Sequence, residues 1–243
     1  MKMYWWQEIK KSWIHFVFPA TCLYCKESLQ PSQAVFCYAC ASLLELINPQ
    51  ERCPICFDLK KNTFIHKCER CKAFPSLFLR QASAFDYFGP AQTLVKQLKY
   101  GNQAHLAKGM AAFLMTQFDR LKWPLPDIIV PVPMSFSHWL KRGYNQSFLL
   151  AEEMAKILHI PLFNCLKYTS GNYGQASLNL GQRKQLKQVF KLKKTFQIQD
   201  KRVLLIDDVM TTGTTLHKCA EALSEGFPGT LYALTFCRTT VHD

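Results

Sequence analysis

The sequence predicts an α/β fold, a parallel sheet with helices on both faces, preceded by a small cysteine-rich module. Three observations carry this reading. Eight of the eleven cysteines lie in the first third of the 243 residues, as four Cys-x-x-Cys pairs. Beyond them stand continuous apolar runs, Ile128-Ile129-Val130 and Val203-Leu204-Leu205-Ile206, of the kind that forms strands buried on both faces. Between the runs, apolar residues recur at helical spacing, the alternation that builds parallel sheets. Hydrophobic residues make up 49% of the chain, enough for a core and too many for disorder.

Residues 1–20 read as an amphipathic helix that docks on the body through Trp5, Ile9, Trp13 and Phe16. A peripheral membrane anchor is the rival reading of the same pattern. Glu8, Lys10 and Lys11 interrupt it, and the apolar stretch Trp13–Phe18 is too short for a signal core and carries His15. No apolar run approaches transmembrane length. The expectation is a cytoplasmic protein with no integral membrane span.

Residues 21–78 form the second unit. Cys22/Cys25, Cys37/Cys40, Cys53/Cys56 and Cys68/Cys71 each make a turn that aims two thiolates at one ion. Eleven residues separate the first pair from the second and the third from the fourth, an internal duplication. Two closed tetrahedral zinc sites of four thiolates each follow, structural because no coordination position stays open for water. Disulfides would need an oxidising compartment, and ferredoxin spacing is different. Sequential pairing is preferred, though spacing leaves a cross-braced pairing open. A module this small gains only about 3–5 kcal/mol from its core, against about 10–16 kcal/mol apparent for a structural zinc. Around the thiols stand Tyr24, Lys26, Tyr38, Arg52, Phe57, Lys60, Lys61, Lys67, Arg70 and Lys72. Cations among aromatics suit single-stranded nucleic acid; capping of the zinc cores is the plainer role for most of the rings. His66 is read as surface, since eight thiols already fill two sites.

After a link near Lys72–Phe78, residues 79–243 read as the α/β unit. A strand begins at Phe85-Asp86-Tyr87, and Gly89-Pro90 opens a helix carrying Leu94, Val95, Leu98 and Tyr100, with Lys96 and Lys99. A second helix runs from about His105 to Arg120, where Trp123-Pro124-Leu125-Pro126 breaks it. The strand Asp127–Val130 ends in Pro131-Val132-Pro133. A basic loop, Lys141-Arg142-Gly143-Tyr144-Asn145-Gln146, leads into a helix with Leu149, Leu150, Met154, Ile157 and Leu158. His138 and Trp139 in that loop are supports rather than catalysts. Thr169–Gln188 lacks periodicity and reads as a long loop. Leu231–Arg238 is a final buried strand, and Cys165, Cys219 and Cys237 are buried thiols.

Val203–Thr215, reading VLLIDDVMTTGTT, carries the chemistry. The strand ends in Asp207 and Asp208, paired carboxylates that can accept from a vicinal diol. Val209, Met210, Thr211, Thr212, Gly213, Thr214 and Thr215 form a turn at a helix start, offering amides, hydroxyls and the positive helix end to phosphate. Ligands of open parallel sheets bind beyond the carboxyl ends of strands, so Val132 and Pro133 open onto the same crevice. Arg142 offers a planar fork to phosphate oxygens, and Arg183 stands in the loop before the last strands. The net charge is +13, and residues 164–202 hold nine Lys or Arg against Asp200 alone. Lys184, Lys187, Lys191, Lys193 and Lys194 in that stretch are the candidate nucleic-acid contacts.

VLLIDDVMTTGTT resembles the phosphoribosyl-pyrophosphate (PRPP) signature of type I phosphoribosyltransferases. With the four Cys-x-x-Cys pairs, AFDYFGPAQTLVKQLKYG and Arg-Gly-Tyr-Asn-Gln after Pro-Val-Pro, nearly the whole chain is similar to the ComF/GntX family. That resemblance implies a double zinc ribbon on a type I phosphoribosyltransferase-like domain, Asp207 and Asp208 as the catalytic acids, and Thr169–Gln188 as a flexible hood. The hood match is loose: Gln185 stands where the family commonly has Asn, and Arg183 is only roughly in register. It further implies a role in DNA uptake and natural transformation, binding single-stranded DNA and PRPP or ribose 5-phosphate, with competence-machinery proteins as partners. An active, Mg-dependent phosphoribosyltransferase of nucleotide metabolism is the second reading. No segment names an acceptor.

Overall fold

The computed structural model describes residues 20–30, 32–60, 67–169 and 189–239. The helix expected over 1–20 (Ala20 apart), Lys61, His66, Arg183, Lys184, Lys187 and the loop from 170 to 188 lie outside the described residues. In chain order the cysteine-rich part supplies two short α-helices, α1 (Tyr38–Ala41) and α2 (Glu69–Ala73), with a single 3-10 turn, Pro49–Glu51, between them. Then come β1 (Arg80–Asp86), α3 (Gly89–Tyr100), α4 (Leu106–Leu121), β2 (Ile128–Pro131), α5 (Phe136–Arg142) and α6 (Gln146–Leu158). A hairpin of β3 (Leu166–Tyr168) and β4 (Phe190–Leu192) follows. The chain continues through β5 (Arg202–Met210), α7 (Thr214–Ser224) and β6 (Thr230–Arg238).

Four parallel strands form one sheet in the order β1-β6-β5-β2. The apolar run of β5 explains the layering. Leu204 and Ile206 join α3, α4 and α6 in one core, whereas Val203 and Leu205 join α7 and the hairpin in the other. Strand side chains alternate between faces, so a continuous apolar run requires a helix layer on each side. The expected α/β class and its helices on both faces are what the chain adopts.

Several boundaries differ from the sequence reading. The first strand ends at Asp86 rather than beginning near Phe85. Its residues Ala82, Ser83 and Ala84 are small, so no apolar run marks them, yet all are buried beside β6. Ser83 and Thr235 exchange a 2.6 Å hydroxyl hydrogen bond that satisfies both inside the core. The strand of the paired acids does not stop at Ile206 but continues to Met210, because the long β6 keeps pairing with it as far as Arg238. The basic loop after Pro133 contains α5, with the Ser135 hydroxyl accepting from the His138 amide. Gly143 ends that helix at φ 75°, a left-handed conformation glycine adopts without strain. The β3–β4 hairpin had no counterpart among the expectations; three-residue strands leave no period to read.

The cysteine-rich part covers the open edge of the sheet. Along β1, the Gln81 amide donates to the Ile55 carbonyl at 2.7 Å, and the Ile47 amide donates to Ala84 at 2.9 Å. From α4 the fully buried Gln117 donates Nε2 to the carbonyls of Ile47 and Ser83, at 3.0 and 3.2 Å. An edge so paired offers no template for aggregation. Cys22, Phe36, Cys40, Ile47 and Phe57 belong to the same apolar cluster as Phe85, Leu114 and Phe236. Across the sheet's entry end, Arg202 grips Asp127 through Nη2 at 2.8 Å and Nε at 3.2 Å, holding that carboxyl down at about 2. Among the described residues no helix is long and apolar enough to cross a membrane.

Candidate functional site

A crevice of about 340 Å³ opens beyond the carboxyl ends of β2 and β5. Val132 and Pro133 form one wall, Thr214, Thr215 and Lys218 of α7 another, and Asp207 and Asp208 the floor. The acids are 8% and 6% exposed. Each has one oxygen engaged by the protein. Asp207 Oδ1 accepts from the Ser147 hydroxyl at 2.6 Å and from the Asp208 amide at 2.9 Å. Asp208 Oδ2 pairs with Lys99 Nζ at 3.1 Å. The other oxygens, Asp207 Oδ2 and Asp208 Oδ1, have no partner among the described residues, so each acid retains one acceptor. Burial, with the Asp208 carboxylate beside it, pushes Asp207 up to about 7.

The Arg-Gly-Tyr-Asn-Gln segment assembles this floor. Asn145 caps α6, its side-chain oxygen accepting from the Ser147 amide at 3.0 Å, while its Nδ2 donates to Val132 at 2.9 Å. One residue thereby fixes both the wall and the serine that orients Asp207. Tyr144 Oη at 2.8 Å and Gln146 Nε2 at 3.4 Å both donate to the Leu98 carbonyl, immediately before Lys99. Arg142 donates to Gln146 Oε1 at 3.1 Å and lies over the Tyr100 ring, 5.2 Å from its centre. Its guanidinium is thus held in place on the crevice lining. His138 also lines the crevice, its Nδ1 3.0 Å from Ser135 Oγ, whereas Trp139 turns outward and stacks on Phe136.

The anion end is the start of α7. Gly213 is its N-cap at φ 77° and brings no side-chain cap; the Thr214 amide donates to Thr212 Oγ1 at 3.4 Å, and the next two amides, of Thr215 and Leu216, have no partner among the described residues. Thr212 and Thr214 share a 2.8 Å hydroxyl contact, and Thr211, Thr212, Thr214 and Thr215 are exposed. Val209 and Met210 behave differently: their side chains pack into the two cores, leaving backbone alone to the turn. Sequence reasoning missed Ser147, which reads as an ordinary helix-start serine, and assigned no role to Lys99. It also missed Lys218, one helical turn after Thr214 on the crevice side.

The thiols form two groups, Cys22/Cys25/Cys37/Cys40 and Cys53/Cys56/Cys68/Cys71, with all sulfurs of a group within 4.8 Å of one another. Four sulfurs at ~2.3 Å from one tetrahedral ion lie about 3.8 Å apart, so each group could hold zinc. The grouping is sequential rather than cross-braced. The two copies repeat the same local bonds. Cys22 and Cys53 accept at their carbonyls from the amides of Lys26 and Phe57, residues at φ 67° and 60°. Burial opposes the Cys22 thiolate, but amides of Cys37, Cys25 and Tyr24 aimed at its sulfur draw it down to about 6. Burial and the neighbouring sulfurs push Cys40 up to about 12. Of the residues around the thiols, Phe57 is buried at 2% in the apolar core that holds Phe85 and Phe236. Arg52, expected as a nucleic-acid contact, is instead buried against Asp86 at 2.7 Å. Tyr24 and Tyr38 stay exposed, at 44% and 65%.

Residues 144–238 match the family model of the phosphoribosyl transferase domain. The DNA utilization protein YhgH of Salmonella typhi is 31% identical over 228 residues, covering 91% of this chain and 98% of its own length. Competence protein F of Haemophilus influenzae is 29% identical over 83% of this chain and 90% of its own. Competence protein ComFC of Bacillus subtilis is 29% identical over 81% of this chain and 80% of its own. Similarity that runs nearly end to end in both partners, and not over the transferase segment alone, leaves one conclusion: the chain belongs to the ComF/GntX family, a cysteine-rich start on a type I phosphoribosyltransferase-like domain.

Proposed function

We propose that the chain acts in DNA uptake and natural transformation as a cytoplasmic protein that binds a ribose 5-phosphate group, as PRPP or a relative, and single-stranded DNA. One observation carries the first half. Two adjacent, buried carboxylates, each with one oxygen unengaged among the described residues, lie across a crevice from a helix start whose Thr215 and Leu216 amides have no partner there. Two acceptors suit two vicinal hydroxyls, and helix amides with Lys218 and Arg142 suit the phosphate. Two zinc ions are proposed, one for each group of four cysteines. Magnesium fits the acids less well: it demands near-ideal octahedral oxygens, and Ser147 and Lys99 already engage one oxygen of each.

Asp207→Asn with Asp208→Asn is expected to weaken ribose 5-phosphate binding at least about a hundredfold in calorimetry, since two charge-accepted hydrogen bonds are lost. Zinc content should not change. The single Asp207→Asn change carries a second signature. A carboxyl raised on folding stabilises the fold below its unfolded value, near pH 4, and that contribution is lost as pH rises through about 7. The asparagine variant should therefore melt higher than wild type at pH 8 and about equally at pH 4. Unchanged affinity in the double variant would sink the ribose-phosphate reading.

The second half rests on the hairpin. Lys167 and Lys191 are both exposed and directly opposite across β3 and β4. Like charges so placed repel, and a polyanion relieves that repulsion. Lys194 is exposed nearby, while Lys193 donates to the Asn164 carbonyl at 2.6 Å. With about five phosphate contacts, log affinity for a single strand should fall against log salt with a slope near −3.5. Lys167→Ala with Lys191→Ala should make the slope shallower by about 1.4. A flat salt response would remove direct DNA binding. The same crevice geometry would serve pentosyl transfer, the carboxylates stabilising charge at the anomeric carbon through the ribose hydroxyls. Pyrophosphate release from PRPP distinguishes that reaction from binding alone.

A further inference from the structure

The paired acids of the crevice already have a cation. Lys99 Nζ lies 3.1 Å from Asp208 Oδ2, with the two side chains 19% and 9% exposed. The lysine stands in the last turn of α3, and its neighbours on both sides are tied down. The Leu98 carbonyl accepts from Tyr144 and Gln146, and the Tyr100 ring carries the Arg142 guanidinium. Arg142 and Lys218 also face the crevice, but neither forms an ion pair with Asp207 or Asp208 among the described residues.

Two carboxylates side by side in a buried site cannot both stay ionised without a counter-charge. A protonated member becomes a donor, and one of the two diol acceptors is lost. A divalent ion is one remedy, but a dication placed beside an ammonium pays strong repulsion at low dielectric. The free oxygens are also one per acid, on different carboxylates. That arrangement matches two hydroxyl donors.

We propose that Lys99 is the tethered cation of the acid pair, a positioning residue that lets Asp207 and Asp208 accept a sugar diol with no divalent metal on the carboxylates. The proposal rests on the ribose-phosphate reading above. The test is calorimetric titration of ribose 5-phosphate into the full chain at pH 8, above the value near 7 to which Asp207 is raised, in magnesium-free buffer and in excess Mg²⁺. Wild-type affinities should agree within about twofold between the two buffers, the bound group bringing no metal to the acids. Lys99→Met should lose at least about tenfold in magnesium-free buffer and regain most of it with Mg²⁺, which can now enter. Lys99→Arg, which keeps the charge, should stay near wild type; a purely structural lysine would give no rescue by a soluble ion. A wild-type protein that binds only with Mg²⁺ overturns the proposal, and so does Lys99→Met binding normally without it. The wild-type comparison needs no variant and stands even where Lys99→Met does not fold. No binding by wild type in either buffer would instead reject the ribose-phosphate site itself.

Discussion

Replacing Cys53 and Cys56 with serine is expected to unfold the whole chain, not merely the second cysteine group. The turn that carries these thiols is built into the transferase core. Ile55 takes a hydrogen bond from the edge strand β1, the carbonyls of Cys56 and Phe57 take two from Arg238, and Phe57 lies in one apolar cluster with Phe85 and Phe236. A structural zinc contributes about 10–16 kcal/mol apparent, as much as the whole stability of a typical domain, about 5–15 kcal/mol. Metal analysis should read two zincs per wild-type chain and at most one in the variant. Even if only a third of that energy reaches the core, the melting temperature should fall by about 10 °C or more, at roughly 2–4 °C per kcal/mol for this size. Phe236 hydrogen exchange should accelerate with it. Loss of one zinc with the main transition unmoved would show that the cysteine-rich part is autonomous.

What could be read without coordinates follows a physical divide. The Cys-x-x-Cys pairs were legible because a zinc turn is local: four residues aim two sulfurs. Val203–Ile206 was legible because burial on both faces suppresses the alternation that other strands show. The acids could be named, but not the groups that set their charge. Ser147 and Lys99 come from α6 and α3 and meet Asp207 and Asp208 only through packing of helices on the sheet. Only the end of strand β1, Phe85-Asp86, was legible; its start stayed hidden because Ala82, Ser83 and Ala84 look like loop residues until β6 is laid beside them. Arg52 looked like a nucleic-acid contact because a cation near zinc turns is usually solvated; its partner, Asp86, is 34 residues away.

Arg238→Met is expected to cost about 2–3 kcal/mol, chiefly from buried backbone carbonyls left without their donor. Arg238 is 4% exposed at the end of β6. Its Nη2 donates to Asp58 Oδ1 at 2.8 Å and its Nη1 to the carbonyls of Cys56 and Phe57. Removing the guanidinium leaves the carbonyls of Cys56 and Phe57 without their donor, whereas Asp58, its side chain 36% exposed, can turn to water. Lysine should not rescue, because one ammonium on a flexible stem cannot span carboxylate and carbonyls as the planar fork does. Pairing Arg238→Met with Asp58→Leu should recover little of the loss, since the carbonyls stay without a donor and the part-exposed acid is already solvated. Denaturant midpoints of the two singles and the double give the coupling directly. The effect should also reach the crevice. Arg238 is the Cα partner of Met210 on β5 and of Asp86 on β1, and the next amide, Thr239, donates to Met210 at 3.0 Å. Loosening that corner frees the strand end that carries Asp207 and Asp208, so ribose 5-phosphate affinity should weaken even at temperatures where the variant remains folded. A variant of wild-type stability would mean that the cysteine-rich part is held by the β1 edge alone.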